Sequence, residues 1–141
     1  MNPPIFHLAF PVGDIPQTKL FYIEGLGCIP GRETPHSLIL NFYEHQLVAH
    51  VTPDIKPQKG IYPRHFGLIF ATESQWQEFY RRAKKQDLPF YQEAKLRFPD
   101  SPLEHQTFFL IDPFHNLLEF KFYAHPEAVF GCHEYAQIGD H

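Results

Sequence analysis

The chain has 141 residues, a net charge of −4 and two cysteines, Cys28 and Cys132. That length suits one domain with a sizeable core, the charge offers no footprint for nucleic acid, and two cysteines are too few for a disulfide framework, so a reduced cytoplasmic setting is expected. The first residues lack the basic and apolar stretches of a secretory signal, and no apolar run approaches ~18 residues, so no membrane span is expected.

Aromatic residues make up 16% of the chain, which suits sheets and an aromatic-lined pocket. At 5–12, alternation places Phe6, Leu8, Phe10 and Val12 on one face of a strand and His7 and Ala9 on the other. Asp14 is suited to cap a helix over 17–24, which Gly25 and Gly27 stop. Strands are expected around 28–32, 37–43 and 46–52, with a tight turn at Glu44-His45. A linker containing Pro and Lys, 53–63, comes next.

The same order then returns. A strand at 65–71 turns Phe66, Leu68 and Phe70 one way and His65, Gly67 and Ile69 the other. Thr72 and Gln75 form a capping-box pattern before a helix over 76–86. Strands are expected around 90–98, 106–111 and 117–123, the last hairpin turning at Asp112-Pro113-Phe114-His115-Asn116. The division predicted is module one at about 4–52, the linker, module two at about 64–123, and a tail, 124–141, that covers a pocket or packs on a partner. The fold class expected is α+β, two βαβββ modules whose sheets make a cupped, barrel-like cleft.

His7 and His65 stand 58 positions apart, as do Phe21-Tyr22 and Phe79-Tyr80. This is an internal duplication with one histidine at the same place in each copy. On the last strand Leu118, Phe120 and Phe122 face the helix, leaving Glu119 and Lys121 on the side of His65. The strand at the corresponding place in module one carries His50. Symmetry therefore gathers His7, His50, His65 and Glu119. Two histidines and a carboxylate on one face leave coordination positions open, an arrangement suited to non-haem Fe(II) chemistry or to Zn²⁺.

Phe6-His7-Leu8 at the first strand, Arg64-His65-Phe66-Gly67 at the fifth and Asp112-Pro113 through Asn116-Leu117-Leu118-Glu119-Phe120 at the last hairpin resemble the vicinal oxygen chelate superfamily, which holds glyoxalase I, extradiol dioxygenases, and fosfomycin- and bleomycin-resistance proteins. The resemblance spans roughly 4–123. It implies a divalent metal on His7, His65 and Glu119, a small-molecule substrate, and a homodimer in which the two histidines can come from different subunits. It also bears on His50, since glyoxalase I proteins usually carry glutamate on that strand. Extradiol dioxygenases use a histidine close before the second ligand as acid/base, and His50 lies 15 residues before His65.

The expected function is Fe(II)-dependent oxygenation of a small aromatic diol. The alternatives are a glyoxalase I-like lyase or isomerase using Zn, Ni or Mn, and a non-catalytic drug-binding protein. His50 is a fourth ligand or the acid/base. Phe109, Lys121, Arg97 and His105 are candidate substrate contacts, with Phe109 standing where the dioxygenase pattern has tyrosine and His115 where the turn usually has glycine. Phe42 is a further candidate pocket wall. Trp76 and Cys28 are expected in the core, and His36, His45, His115, His125, His133 and His141 in solvated turns or tail.

Overall fold

In the computed structural model, which describes residues 2–139, β1 (His7–Val12) buries Phe10 and Val12 and exposes His7, Ala9 and Pro11, as its alternation requires. Asp14 caps α1 (Ile15–Thr18), its carboxylate accepting from the amide of Gln17 at 2.7 Å. The helix then widens into a π-helical segment, Lys19–Gly25. The wider turn narrows the angle between successive side chains. Phe21 and Tyr22, though adjacent, are both buried there, whereas in the regular helix of module two Phe79 is buried and Tyr80 only half-buried.

Three strands follow: β2 (Ile29–Thr34), β3 (Ser37–Phe42) and β4 (His45–Val51). The sheet order is β1-β4-β3-β2, with β1 parallel to β4 and the other pairs antiparallel. The β3–β4 hairpin turns on Tyr43 and Glu44, whose φ angles are 52° and 69°. Asn41 steadies it by accepting from the Glu44 amide at 2.8 Å. The turn thus lies one residue earlier than expected, and His45 opens β4.

Module two repeats this plan with β5 (Phe66–Ile69), α2 (Glu73–Lys85), β6 (Phe90–Arg97), β7 (His105–Ile111) and β8 (Leu117–Tyr123), in the order β5-β8-β7-β6. Both halves of the Thr72/Gln75 capping box form. In the last hairpin one Asp112 carboxylate oxygen accepts from the amides of Phe114 and Asn116, both at 2.8 Å. His115 takes the left-handed position there, with φ of 68°.

The two sheets meet through their helix-facing sides. Phe10 packs on Phe66 with ring centroids 5.6 Å apart, and Phe42 on Phe120 at 6.4 Å. The buried Tyr22 hydroxyl donates to Asp112 at 2.7 Å, and Arg82 donates to the carbonyl of Gly25 at 2.8 Å. One hydrophobic core therefore spans both modules. Phe42 belongs to that core, and Trp76 and Cys28 are buried as expected. The opposite faces of the two sheets, which carry His7 and His65, look away from it.

Strand register corrects one expectation. Gly67 pairs with Glu119, and Ala9, which corresponds to Gly67, pairs with Val48. The counterpart of Glu119 is therefore Val48, not His50, and His50 matches Lys121 instead. Among the described residues no helix is long and apolar enough to cross a membrane. His141 lies outside the described residues.

Candidate metal centre

On the outward face of sheet two, β7 presents His105, Thr107 and Phe109 beside Tyr123, Lys121 and Glu119 of β8. His65, immediately before β5, completes the row. Its Nε2 lies 3.1 Å from Glu119 Oε1. Each partner is anchored on its remote atom. His65 Nδ1 donates to the carbonyl of Ile61 at 2.8 Å, and Glu119 Oε2 accepts from the Thr107 hydroxyl at 2.6 Å. Nε2 and Oε1 are thus the atoms left facing one another, which is how outer hydrogen bonds orient a metal-binding histidine and carboxylate.

The hydrogen bond to Glu119 raises the pKa of His65 against the opposing effect of burial. Burial alone would raise Glu119, but the His65 bond, the Lys121 charge and the Thr107 bond hold it below the usual carboxylate value. Lys121 Nζ stands 3.8 Å from Glu119 and 3.1 Å from the Tyr123 hydroxyl. Phe109 is buried and meets the His65 ring nearly edge-on, centroids 5.1 Å apart.

A Cβ at position 67 would run into the backbone carbonyl of Glu119. Glycine there is what lets β5 lie close against β8. The motif shows Gly67 but not this role, which depends on a neighbouring strand. Thr107 stands outside the motifs, although period-2 alternation from Phe109 places it on the correct face.

The remaining candidates fall in different places. His105, a candidate substrate contact, is 6% exposed and tilts against Tyr123 at 4.8 Å. Its Nδ1 donates to the Leu103 carbonyl at 3.0 Å, and burial lowers its pKa. Arg97 reaches the carbonyl of Gly139 in the tail, Nη2 to oxygen 3.4 Å. His7 lies on the outward face of sheet one, its Nδ1 paired with Gln46 Oε1 at 2.6 Å. His50 is exposed on that same face, two residues beyond Val48. Among the described residues no three His, Cys, Asp or Glu side chains stand together as a metal site. Sheet two brings together two of the expected donors, and sheet one carries the third apart from them.

The donor set suits a divalent ion. It offers an imidazole nitrogen and a carboxylate oxygen that converge, each fixed from behind, with His7 anchored in the same manner through Nδ1.

The family model described as the Glyoxalase/Bleomycin resistance protein/Dioxygenase superfamily matches residues 5–120. A solved glyoxalase/bleomycin resistance protein/dioxygenase from Alicyclobacillus acidocaldarius is 39% identical with a TM-score of 0.86, over 90% of this chain and 96% of that one. The fosfomycin resistance protein FosX from Listeria monocytogenes superposes with a TM-score of 0.70 at 13% identity, over 91% of this chain and 99% of that one. Lactoylglutathione lyase from Agrobacterium tumefaciens gives 0.65 at 17%, over 85% and 95%. The last two likenesses speak to fold alone. No curated protein sequence matches the chain.

Proposed function

The chain belongs to the glyoxalase/bleomycin resistance protein/dioxygenase superfamily, and from that footing we propose that it is a metal-dependent enzyme whose His65 and Glu119 share an ion with His7 of a second copy. The outward-facing placement of both histidine faces supports the second copy. The core between the modules holds those faces apart within one chain, while two chains can bring sheet one of each over sheet two of the other. The pair would be a homodimer.

The observation that carries the reading is Val48, which stands at the register position matching Glu119 and would leave three donors to a shared site. A valine supplies neither a ligand nor a proton-transfer base, so coordination positions stay open and carbonyl-adjacent isomerisation lacks its carboxylate. The reaction this favours is oxygenation of a small aromatic diol with Fe(II). An ion held there would supply positive charge to two neighbouring substrate oxygens and, if iron, redox capacity. The protein would supply the rest. Phe109 walls the site beside His65, and Lys121 sets a positive charge next to Glu119. His50, one pleat beyond the ligand position, takes and returns the proton of a substrate hydroxyl.

Two measurements test this. Protein prepared anaerobically and loaded with Fe(II) should cleave a member of a catechol panel to a yellow product; no cleavage across a broad panel removes the dioxygenase reading. Formation of a thioester from a glutathione hemithioacetal would instead favour the isomerase. The shared site is tested by co-refolding His7→Ala with Glu119→Ala chains. A shared site leaves one intact centre in each mixed dimer and restores metal uptake, whereas a site within one chain restores none.

A further inference from the structure

Beyond Lys121 the outward face of sheet two runs into a chamber built by the tail. After β8 the chain makes a 3-10 turn, Pro126–Val129, and turns back rather than leaving the fold. Two short turns steady it: the Gly131 amide donates to Glu127 at 2.8 Å, and the Tyr135 amide to Cys132 at 3.0 Å. Its far end returns to the proposed ion site. Gly139 accepts from Arg97 and sits so close to the Tyr62 hydroxyl that a Cβ there would collide with it. The Tyr62 ring in turn lies 6.0 Å from that of His65. Between tail and sheet is a cavity of about 390 Å³.

The lining is specific in kind. Phe98, Tyr123 and Tyr135 offer ring surfaces, and His105 offers another, tilted 37° against Tyr123. Because His105 Nδ1 is committed to the Leu103 carbonyl, its remaining nitrogen is an acceptor. Lys121 is the lysine of the lining, which also holds His133, and it stands at the seam between chamber and ion site, 3.8 Å from Glu119. Flat ring walls suit a planar ring, and an ammonium partly shielded from water suits a carboxylate.

The geometry points to a compartment for an aromatic carboxylate, with the ring among Phe98, His105 and Tyr123 under the tail and the carboxylate on Lys121. This deepens the proposed function, on which it rests only for the identity of the reacting end. The ligand would be a ring bearing an acid group, its ring under the tail and its carboxylate at the seam, on the side of the chamber that faces the ion. Residues 126–139 become the part of the chain that selects the substrate.

Cys132 lines the chamber and reports on its occupancy, while Cys28 is buried, with its thiol pushed up to about 12, and stays silent. The full-length, metal-free protein is titrated with benzoate while the reaction of Cys132 with Ellman's reagent is followed. Benzoate should slow labelling saturably, and benzyl alcohol at equal concentration should not. Lys121→Met keeps the apolar stem and should weaken benzoate protection about tenfold, the loss of one charge-assisted hydrogen bond. Equal protection by benzyl alcohol, no protection by benzoate, or an unchanged benzoate affinity in Lys121→Met would each overturn the assignment. Because no ion is present, failure here leaves the metal reading standing, and a protein that binds benzoate but takes up no metal loses only that reading.

Discussion

The two modules share one scaffold and differ in what they show to solvent. Module two lines its outward face with His65, Glu119, Thr107 and Lys121, which bond or pair with one another. Module one offers His7, Gln46, Val48 and His50 there, and the one hydrogen bond between these side chains joins His7 to Gln46 at an exposed position. At matched places Gly67 stands against Glu119 and Ala9 against Val48. Duplication therefore supplied the frame twice, and the polar chemistry was built out in one copy. Module one offers one proposed donor, His7, and a more open, partly apolar surface, which would suit the proposed role as the cover of another chain's site.

The largest effect should come from Gly67→Ala. The added Cβ meets backbone, which cannot rotate away, so β5 must shift off β8. A loss of at least ~3 kcal/mol, or no folded protein, is expected in thermal melts. At the matched position Ala9→Gly should cost only about 0.5–1 kcal/mol, through backbone entropy. Equal losses at both sites would show that the close β5–β8 approach is not special to module two. Next in size is Thr107→Val, which keeps the shape and removes the bond to Glu119 Oε2. Metal affinity measured by calorimetry should fall about 10–100-fold, as for other groups that orient a ligand from behind.

Tyr22→Phe probes the joint between modules rather than either face. It removes the buried hydrogen bond to Asp112, which keeps its contacts with Asn116. The expected cost is about 1–2 kcal/mol in urea unfolding at neutral pH. Burial, with the charge of Asp112 beside it, raises the Tyr22 pKa well above the ordinary phenol value. A raised folded pKa contributes stability that is whole below the unfolded value of about 10 and is lost as pH climbs past it. The gap between wild type and Tyr22→Phe should therefore narrow above about pH 10. A gap constant to pH 11 would mean that Tyr22 ionises as easily folded as unfolded.

Local pattern carried the sequence reading furthest where one face is buried. Alternation placed His65 and Glu119 on one side because Phe66, Leu118 and Phe120 must reach the core, and the capping residues Asp14 and Thr72 marked both helix starts. The π-helical widening at Lys19–Gly25 was not legible, since a run such as Leu20-Phe21-Tyr22-Ile23 fits an ordinary helix equally well. His50 lies on the strand that corresponds to that of Glu119, but which residue of that strand matches it depends on register. Val48 and Glu119 stand 71 positions apart and not 58, because module two carries a longer helix, longer strands and longer loops before β7 and β8. The burial of His105 depends on Tyr123 and on the tail, contacts between elements that no local pattern announces.

The smallest effect sharpens the contrast between faces. Gln46 does for His7 what Thr107 does for Glu119, holding the remote atom of a proposed ligand. Yet His7 is exposed, whereas the Glu119 side chain is 11% exposed. Water can replace the Gln46 oxygen at Nδ1 at little cost, while a buried carboxylate oxygen stripped of Thr107 has no ready substitute. Gln46→Leu should therefore weaken metal binding by only about two- to threefold, under 1 kcal/mol. That holds only if His7 stays open to solvent within the assembled site; in a lone chain, where His7 lies apart from His65 and Glu119, the change should have no effect. If a second chain buries it, as the shared site requires, Gln46→Leu moves toward the size of Thr107→Val. The comparison is best made at two protein concentrations, one above and one below the dissociation constant of the dimer. A Gln46→Leu penalty that grows with dimer formation supports burial of His7 between chains, and one that stays flat counts against it.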